Sequence, residues 1–325
     1  MAIPLSLSEP AHAHEPPPMH DDVVDKLIAG DAPTLARCIT LMETGGPTAD
    51  LVHQRICRHV GRAAIIGFTG APGAGKSTLI DAYIGVLRGR GLKVAVAAVD
   101  PSSPISGGAI LGDRVRMRRH AEDSDVFIRS VASRGHLGGL SESIHRIVDV
   151  MDAAGRDFII IETVGTGQSE VEVAEIADLC VVVNAPNMGD DIQAMKAGVL
   201  EIADVLVVNK ADLPLARRTT EQLKSMLKLR REKLDVPVIE TVATKETGIE
   251  SLHEAIVGLQ RTATGDKQKT RERRMRRLIA QSAGRMVHDR IRDAAGGELE
   301  GLVQAAATGE IGIVDAARRA LKTVL

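Results

Sequence analysis

The segment Gly70-Ala71-Pro72-Gly73-Ala74-Gly75-Lys76-Ser77, followed by Thr78, fits the spacing G-x-x-x-x-G-K-[ST]. Glycines let the backbone wrap a phosphate with its N–H groups turned inward, and a helix starting there adds its positive end. Lys76 can neutralise charge across a β- and a γ-phosphate, and the Ser77 hydroxyl can serve Mg²⁺. An aliphatic run precedes this segment and a helical pattern follows it, which is the context such a loop needs.

A second set reads the base. Asn209-Lys210-Ala211-Asp212 closes the run DVLVVN, where P-loop GTPases carry their guanine motif. A carboxylate at Asp212 accepts two hydrogen bonds, from guanine N1–H and the exocyclic amine. Adenine offers neither, and an unpaired buried acceptor costs about 1–3 kcal/mol or more. Asn209 would hold the loop and face the base edge, while the Lys210 stem lies over the ring. Val242-Ala243-Thr244 resembles a third base contact, a backbone N–H to guanine O6, although the usual Ser-Ala reads Val-Ala here.

Three carboxylates are candidates for the metal. Asp100 ends AAVDPSSP, Asp113 lies in LGDRVRM, and Glu162 ends FIIIETVG. P-loop GTPases usually show D-x-x-G at that third place; here it is Glu162-Thr-Val-Gly165. Glu accepts from a Mg²⁺-bound water as Asp does, with one more methylene of reach. Mg²⁺ keeps several waters and takes few protein ligands, so Ser77, Asp100, Asp113 and Glu162 form a mixed direct and water-mediated set. Lys76, Asp100 and Glu162 are the candidate catalytic residues. Thr166 stands where Ras-like enzymes place a water-orienting Gln, and Gln168 is the nearest Gln. Slow intrinsic hydrolysis, accelerated by a partner, follows.

The elements that must position these residues are legible. Aliphatic runs recur at 63–68, 93–99, 125–131, 157–161, 179–184, 204–209 and 236–242, each followed by a turn signal. Strands alternating with helical stretches predict a mostly parallel α/β sheet flanked by helices, with ligands beyond the carboxyl ends of the strands. Residues 22–61 read as short helices, with Asp31 a plausible N-cap and Gly30 and Gly45-Gly46 as stops. Met275, Leu278, Ile279, Met286 and Ile291 make a helical stripe in the charged stretch after residue 260. The expected division is a disordered tail over 1–21, helices over 22–61, a nucleotide domain over 62–260 and a helical extension over 261–325.

Composition narrows the class. The 325 residues carry a net charge of −2 with no Trp, one Tyr and three Phe. An aliphatic core suits buried parallel strands and argues against stacking on single-stranded nucleic acid. The charge balance supplies no pull toward nucleic acid or an anionic membrane. Cys38, Cys57 and Cys180 are isolated and read as small structural thiols of a reducing compartment. No apolar run reaches the roughly 18 residues of a membrane span. The first 22 residues hold three His, five Pro and four acids but no Lys or Arg, so neither secretory nor mitochondrial targeting fits. Cytoplasmic residence is the expectation; a metal at His12, His14 and His20 is a minor alternative.

GFTGAPGAGKSTLID, AAVDPSSPISGGAILGDRVRM, ETVGTGQSE, APNMGDDIQAMKAG and NKAD occur in the order seen in the MeaB/ArgK-like GTPases, the family of the methylmalonic aciduria type A protein, which this chain resembles. The resemblance covers about residues 22–325. It implies GTP and GDP as ligands with Mg²⁺, and a chaperone of the adenosylcobalamin-dependent methylmalonyl-CoA mutase that gates cofactor loading and protects the mutase. It also implies a homodimer through the C-terminal helices, and a partner-coupling switch over 185–196 with Asp190, Gln193 and Lys196. Two other classes stay open: a nickel-insertion GTPase, for which His136 and His145 lack a nearby Cys, and a kinase of a small molecule or transport protein.

Overall fold

The computed structural model describes residues 22–101, 117–133, 142–163, 173–186, 200–228, 236–262, 267–293 and 297–324. All seven aliphatic runs form strands: β1 (Ala64–Thr69), β2 (Val94–Pro101), β3 (Val126–Ser133), β4 (Phe158–Thr163), β5 (Leu179–Asn184), β6 (Val205–Val208) and β7 (Val238–Glu240). They build one sheet in the order β3-β2-β4-β1-β5-β6-β7, parallel at every pairing. β1 sits between β4 and β5. From it the chain goes first to one side, to β2 and β3, and later to the other, to β5, β6 and β7. The crevice where a ligand binds in such sheets therefore opens at the carboxyl end of β1.

Both faces are covered, which is why β1, β4 and β5 are buried along their whole length. One face carries α1 (Asp22–Ile28), α2 (Ala32–Thr44), α3 (Pro47–Ile56) and α5 (Glu142–Ala153). Leu27, Leu35, Ile39, Met42 and Ile56 pack there with Ile65, Ile159 and Ile161 of the strands and Ile144, Val148 and Met151 of α5. The N-terminal helices thus share a core with the sheet. The other face carries α4 (Lys76–Arg88) and α7 (Ile249–Thr262), whose Leu79, Ile80, Tyr83, Leu252 and Ile256 meet Ile66, Phe68, Val94 and Val96. Each of these fully buried aliphatic side chains contributes about 1.5–3 kcal/mol relative to exposure. α6 (Ala216–Lys228) covers β6 and β7.

Local signals behave as their chemistry requires. Asp31 caps α2 by accepting from the Thr34 N–H at 2.9 Å. Asp152, near the end of α5, accepts from the N–H groups of Gly61, Arg62 and Ala63 and so fixes the entry into β1. The charged stretch forms α8 (Lys267–Asp293), followed by α9 (Glu298–Ala307) and α10 (Ile313–Val324). α8 touches α5 and α10, and α9 pairs with α10. Among the described residues no helix is long and apolar enough to cross a membrane.

Candidate nucleotide-binding site

Gly70 leaves the carboxyl end of β1 at φ 134°, and a Cβ built on it would lie 2.1 Å from the Val183 carbonyl oxygen of β5. Only a residue without a side chain lets the loop depart this close to the neighbouring strand. Gly75 closes the loop at φ 88°, where a Cβ would lie 2.5 Å from Asn209 Nδ2. Gly75 is also the N-cap of α4 and supplies no side-chain cap. The helix N-terminus therefore keeps donors for an anion.

The cationic and hydroxyl groups are buried here. Lys76 is 7% and Ser77 6% exposed, whereas Pro72, Gly73 and Thr78 face solvent. Lys76 Nζ donates to the carbonyls of Gly70 at 2.7 Å and Ala71 at 3.2 Å, so its charge curls back over the loop. Ser77 Oγ donates to Glu162 Oε1 at 2.7 Å. Glu162 is opposite Phe68 on β1 and Ala98 on β2, which centres it at the carboxyl edge. Thr163 Oγ1 donates to Thr69 Oγ1 at 3.1 Å, a buried link one residue on. Asp100 lies on β2 opposite Ala132, farther along the same edge.

The base motif is wired to the phosphate loop. Asn209 Nδ2 donates to Ala74 O at 3.0 Å and Gly75 O at 3.4 Å, while its Oδ1 accepts from Thr241 Oγ1 at 3.1 Å and the Ala243 N–H at 3.2 Å. One side chain thus joins the first loop, β6 and the loop after β7. Lys210 takes the left-handed conformation, φ 58°, and its Nζ donates to Gly73 O at 2.8 Å. A left-handed lysine is uncommon and marks a site whose surroundings hold it there. Asp212 Oδ2 accepts from Lys245 Nζ at 3.0 Å, and that hydrogen bond holds the carboxyl below its ordinary pKa. Asp212 therefore stays an acceptor-only carboxylate, as pairing with two guanine donors requires.

The structure brings together Gly70 through Thr78, Glu162, Asn209, Lys210 and Asp212, and places Val242 and Ala243 beside them. The Val242 N–H donates to Thr247 O and the Ala243 N–H to Asn209 Oδ1. These two residues thus brace the loop, and a base contact through Ala243 would share its N–H with Asn209. Asp113, Gly165, Thr166, Gln168, His136, Asp190, Gln193, Lys196 and the tail 1–21 lie outside the described residues. Among the described residues no group of three His, Cys, Asp or Glu side chains could hold a metal ion. Sequence reading missed Thr241, Lys245 and Val183, because their roles come from the β5-β6-β7 adjacency rather than from any local pattern.

Comparison with known proteins follows the same residues. The model of the family "Methylmalonyl Co-A mutase-associated GTPase MeaB" matches residues 35–297. A Pyrococcus horikoshii protein named as a GTPase is 48% identical over 73% of this chain and 76% of its own. The GTPase ArgK of Escherichia coli is 39% identical over 77% of this chain and 79% of its own. The crystal structure of a LAO/AO transport system kinase superposes with a TM-score of 0.71 at 27% identity, covering 93% of this chain and 96% of that one.

Proposed function

This chain is a GTPase of the MeaB family, and from that premise we propose that it is a guanine-nucleotide switch chaperoning an adenosylcobalamin-dependent methylmalonyl-CoA mutase. The observation that carries the switch is the Asn209 side chain, which holds the phosphate loop and the base loops in one arrangement. What supports the client is the family's own description as mutase-associated.

In this reading the N–H groups of residues 73–77, at the start of α4, receive the β-phosphate. Lys76 exchanges the neutral carbonyls of Gly70 and Ala71 for charged phosphate oxygens. Asp212 accepts from the guanine edge, and Lys210 lies across the ring. Ser77 Oγ and Glu162, already 2.7 Å apart and buried, are an all-oxygen pair that suits Mg²⁺, with Asp100 and Asp113 completing the set. Bound there, the ion would neutralise charge on the β- and γ-phosphates. Thr166 cannot orient the attacking water through an amide, so hydrolysis is slow until the client rearranges residues 185–196, through Asp190, Gln193 and Lys196.

The homodimer belongs to the same proposal. Ile279, Met286, Val303, Ile313 and Val314 of α8 to α10 are 63–80% exposed, an apolar surface that a second copy would cover. The test is direct binding of purified methylmalonyl-CoA mutase to the GDP- and GTP-loaded forms. Capture that depends on the nucleotide supports the proposal; no binding to either form contradicts it. The kinase reading, raised by the structural likeness to a transport system kinase, would instead show transfer of the γ-phosphate to an acceptor faster than hydrolysis.

A further inference from the structure

Cys57, His53 and Asp149 meet far from the phosphate loop, beside the entry into β1. Cys57 opens the 3-10 turn Cys57–His59 after α3, and its sulfur lies 3.9 Å from His53 Nδ1, one helical turn earlier. The other ring nitrogen, Nε2, is 2.9 Å from Asp149 Oδ2 of α5. Asp149 is 1% exposed at its side chain and His53 15%, while Cys57 is half-buried and reachable by a small reagent. We propose that Cys57, His53 and Asp149 work as nucleophile, base and orienting carboxylate, making Cys57 a site of modification by hydroperoxides.

The chemistry follows the arrangement of the three groups. Asp149 fixes the ring so that the Nδ1 edge faces the sulfur, the order of parts in nucleophile-base-carboxylate sites generally. Burial pushes the imidazolium down, but the Asp149 carboxylate and the Cys57 sulfur together push it up to about 9. A charged imidazolium beside a thiol favours the thiolate. Arg55 and Arg58 flank Cys57 in sequence. On α5, which packs against this turn, Arg146 donates to Asp50 of α3 at 2.6 Å, and Asp152 accepts from the N–H groups of Gly61, Arg62 and Ala63.

The step balances within the site. The thiolate attacks one peroxide oxygen, an S–O bond forms as the O–O bond breaks, and sulfur loses two electrons to the peroxide. The departing hydroxide, or alkoxide from an organic hydroperoxide, takes the proton from His53 and leaves as water or alcohol, giving a sulfenic acid and a neutral imidazole. The other cysteines supply contrast. Cys38 is buried and its thiol is pushed up to about 11 by that burial, and Cys180 is 1% exposed within β5.

The full chain, loaded with GDP, is treated with iodoacetamide at about pH 6 and each cysteine is followed by peptide mass spectrometry. An ordinary thiol is under about 1% ionised at that pH. With His53 3.9 Å from its sulfur, Cys57 is expected to react about tenfold faster than glutathione. His53→Gln is expected to bring that rate back to within about twofold of glutathione, and hydrogen peroxide with a dione trap should label Cys57 and neither Cys38 nor Cys180. A wild-type rate no faster than glutathione overturns the proposal without needing any variant. So does an unchanged rate in a folded His53→Gln protein.

Discussion

At the nucleotide end, polar side chains are inside; on the C-terminal helices, apolar ones are outside. Lys76, Ser77, Glu162 and Asn209 are 1–7% exposed, at positions where burial of charge normally destabilises. Ile313 and Val314 of α10 are 80% and 71% exposed, where an isolated chain would place polar groups. Each inversion marks a surface completed by something else. In the proposed reading a ligand with phosphate oxygens and a guanine edge completes the first, and another protein surface the second. A buried polar cluster must also be satisfied when its ligand is away. Lys76 meets this by donating to its own loop, and Asn209 by bridging three segments.

The sharpest way to break the first half is Lys76→Ala. It removes a charge-assisted contact to the phosphates, worth about 1.5–3 kcal/mol per hydrogen bond, so GTP affinity should fall roughly 100-fold or more by calorimetry. Fold stability should change far less, because the carbonyls of Gly70 and Ala71 regain water. A fall in melting temperature with unchanged affinity would mean that Lys76 serves the fold instead.

Asp212→Asn should cost about tenfold to 100-fold in affinity for GTP while leaving phosphate binding in place, which narrows the GTP-over-ATP preference in competition assays. The loss should appear across neutral pH, since Lys245 keeps the Asp212 carboxyl below its ordinary range and the wild type stays ionised there.

The second half is tested by Val314→Asp. An exposed position tolerates such a change within about 0.5 kcal/mol in the isolated chain. Sedimentation should nevertheless show loss of self-association, with hydrolysis by the isolated chain unchanged. If assembly persists, the exposed apolar residues of α10 serve some other partner.

A further test concerns a buried polar pair outside both regions. The folded pKa of His53 is raised from 6.5 to about 9. A raised pKa contributes stability that is fully present below 6.5 and is lost as pH rises toward 9. The unfolding midpoint should therefore decline over that interval, and decline less in His53→Gln.

Much of this was legible in one dimension because the relevant physics is local. Aliphatic runs located all seven strands, most cleanly β1, β4 and β5, since a strand buried on both faces has no polar alternation to obscure it. Gly70 to Ser77 was legible because glycine, lysine and hydroxyl must follow each other along one loop. Asp31 was legible because a cap acts three residues away. Lys245 on Asp212, Thr241 on Asn209 and the Val183 carbonyl against Gly70 were not, because each depends on which strands lie side by side. The same holds for Asp149 against His53, where α3 and α5 meet across a long stretch of chain.

The most direct test is single-turnover GTP hydrolysis by the full chain, alone and with purified adenosylcobalamin-dependent methylmalonyl-CoA mutase. Slow hydrolysis alone, accelerated about tenfold or more by the mutase, is the predicted result, since repositioning a water and charged groups has large effects on phosphoryl transfer. Fast hydrolysis by the chain alone, or a rate indifferent to the mutase, would contradict the account.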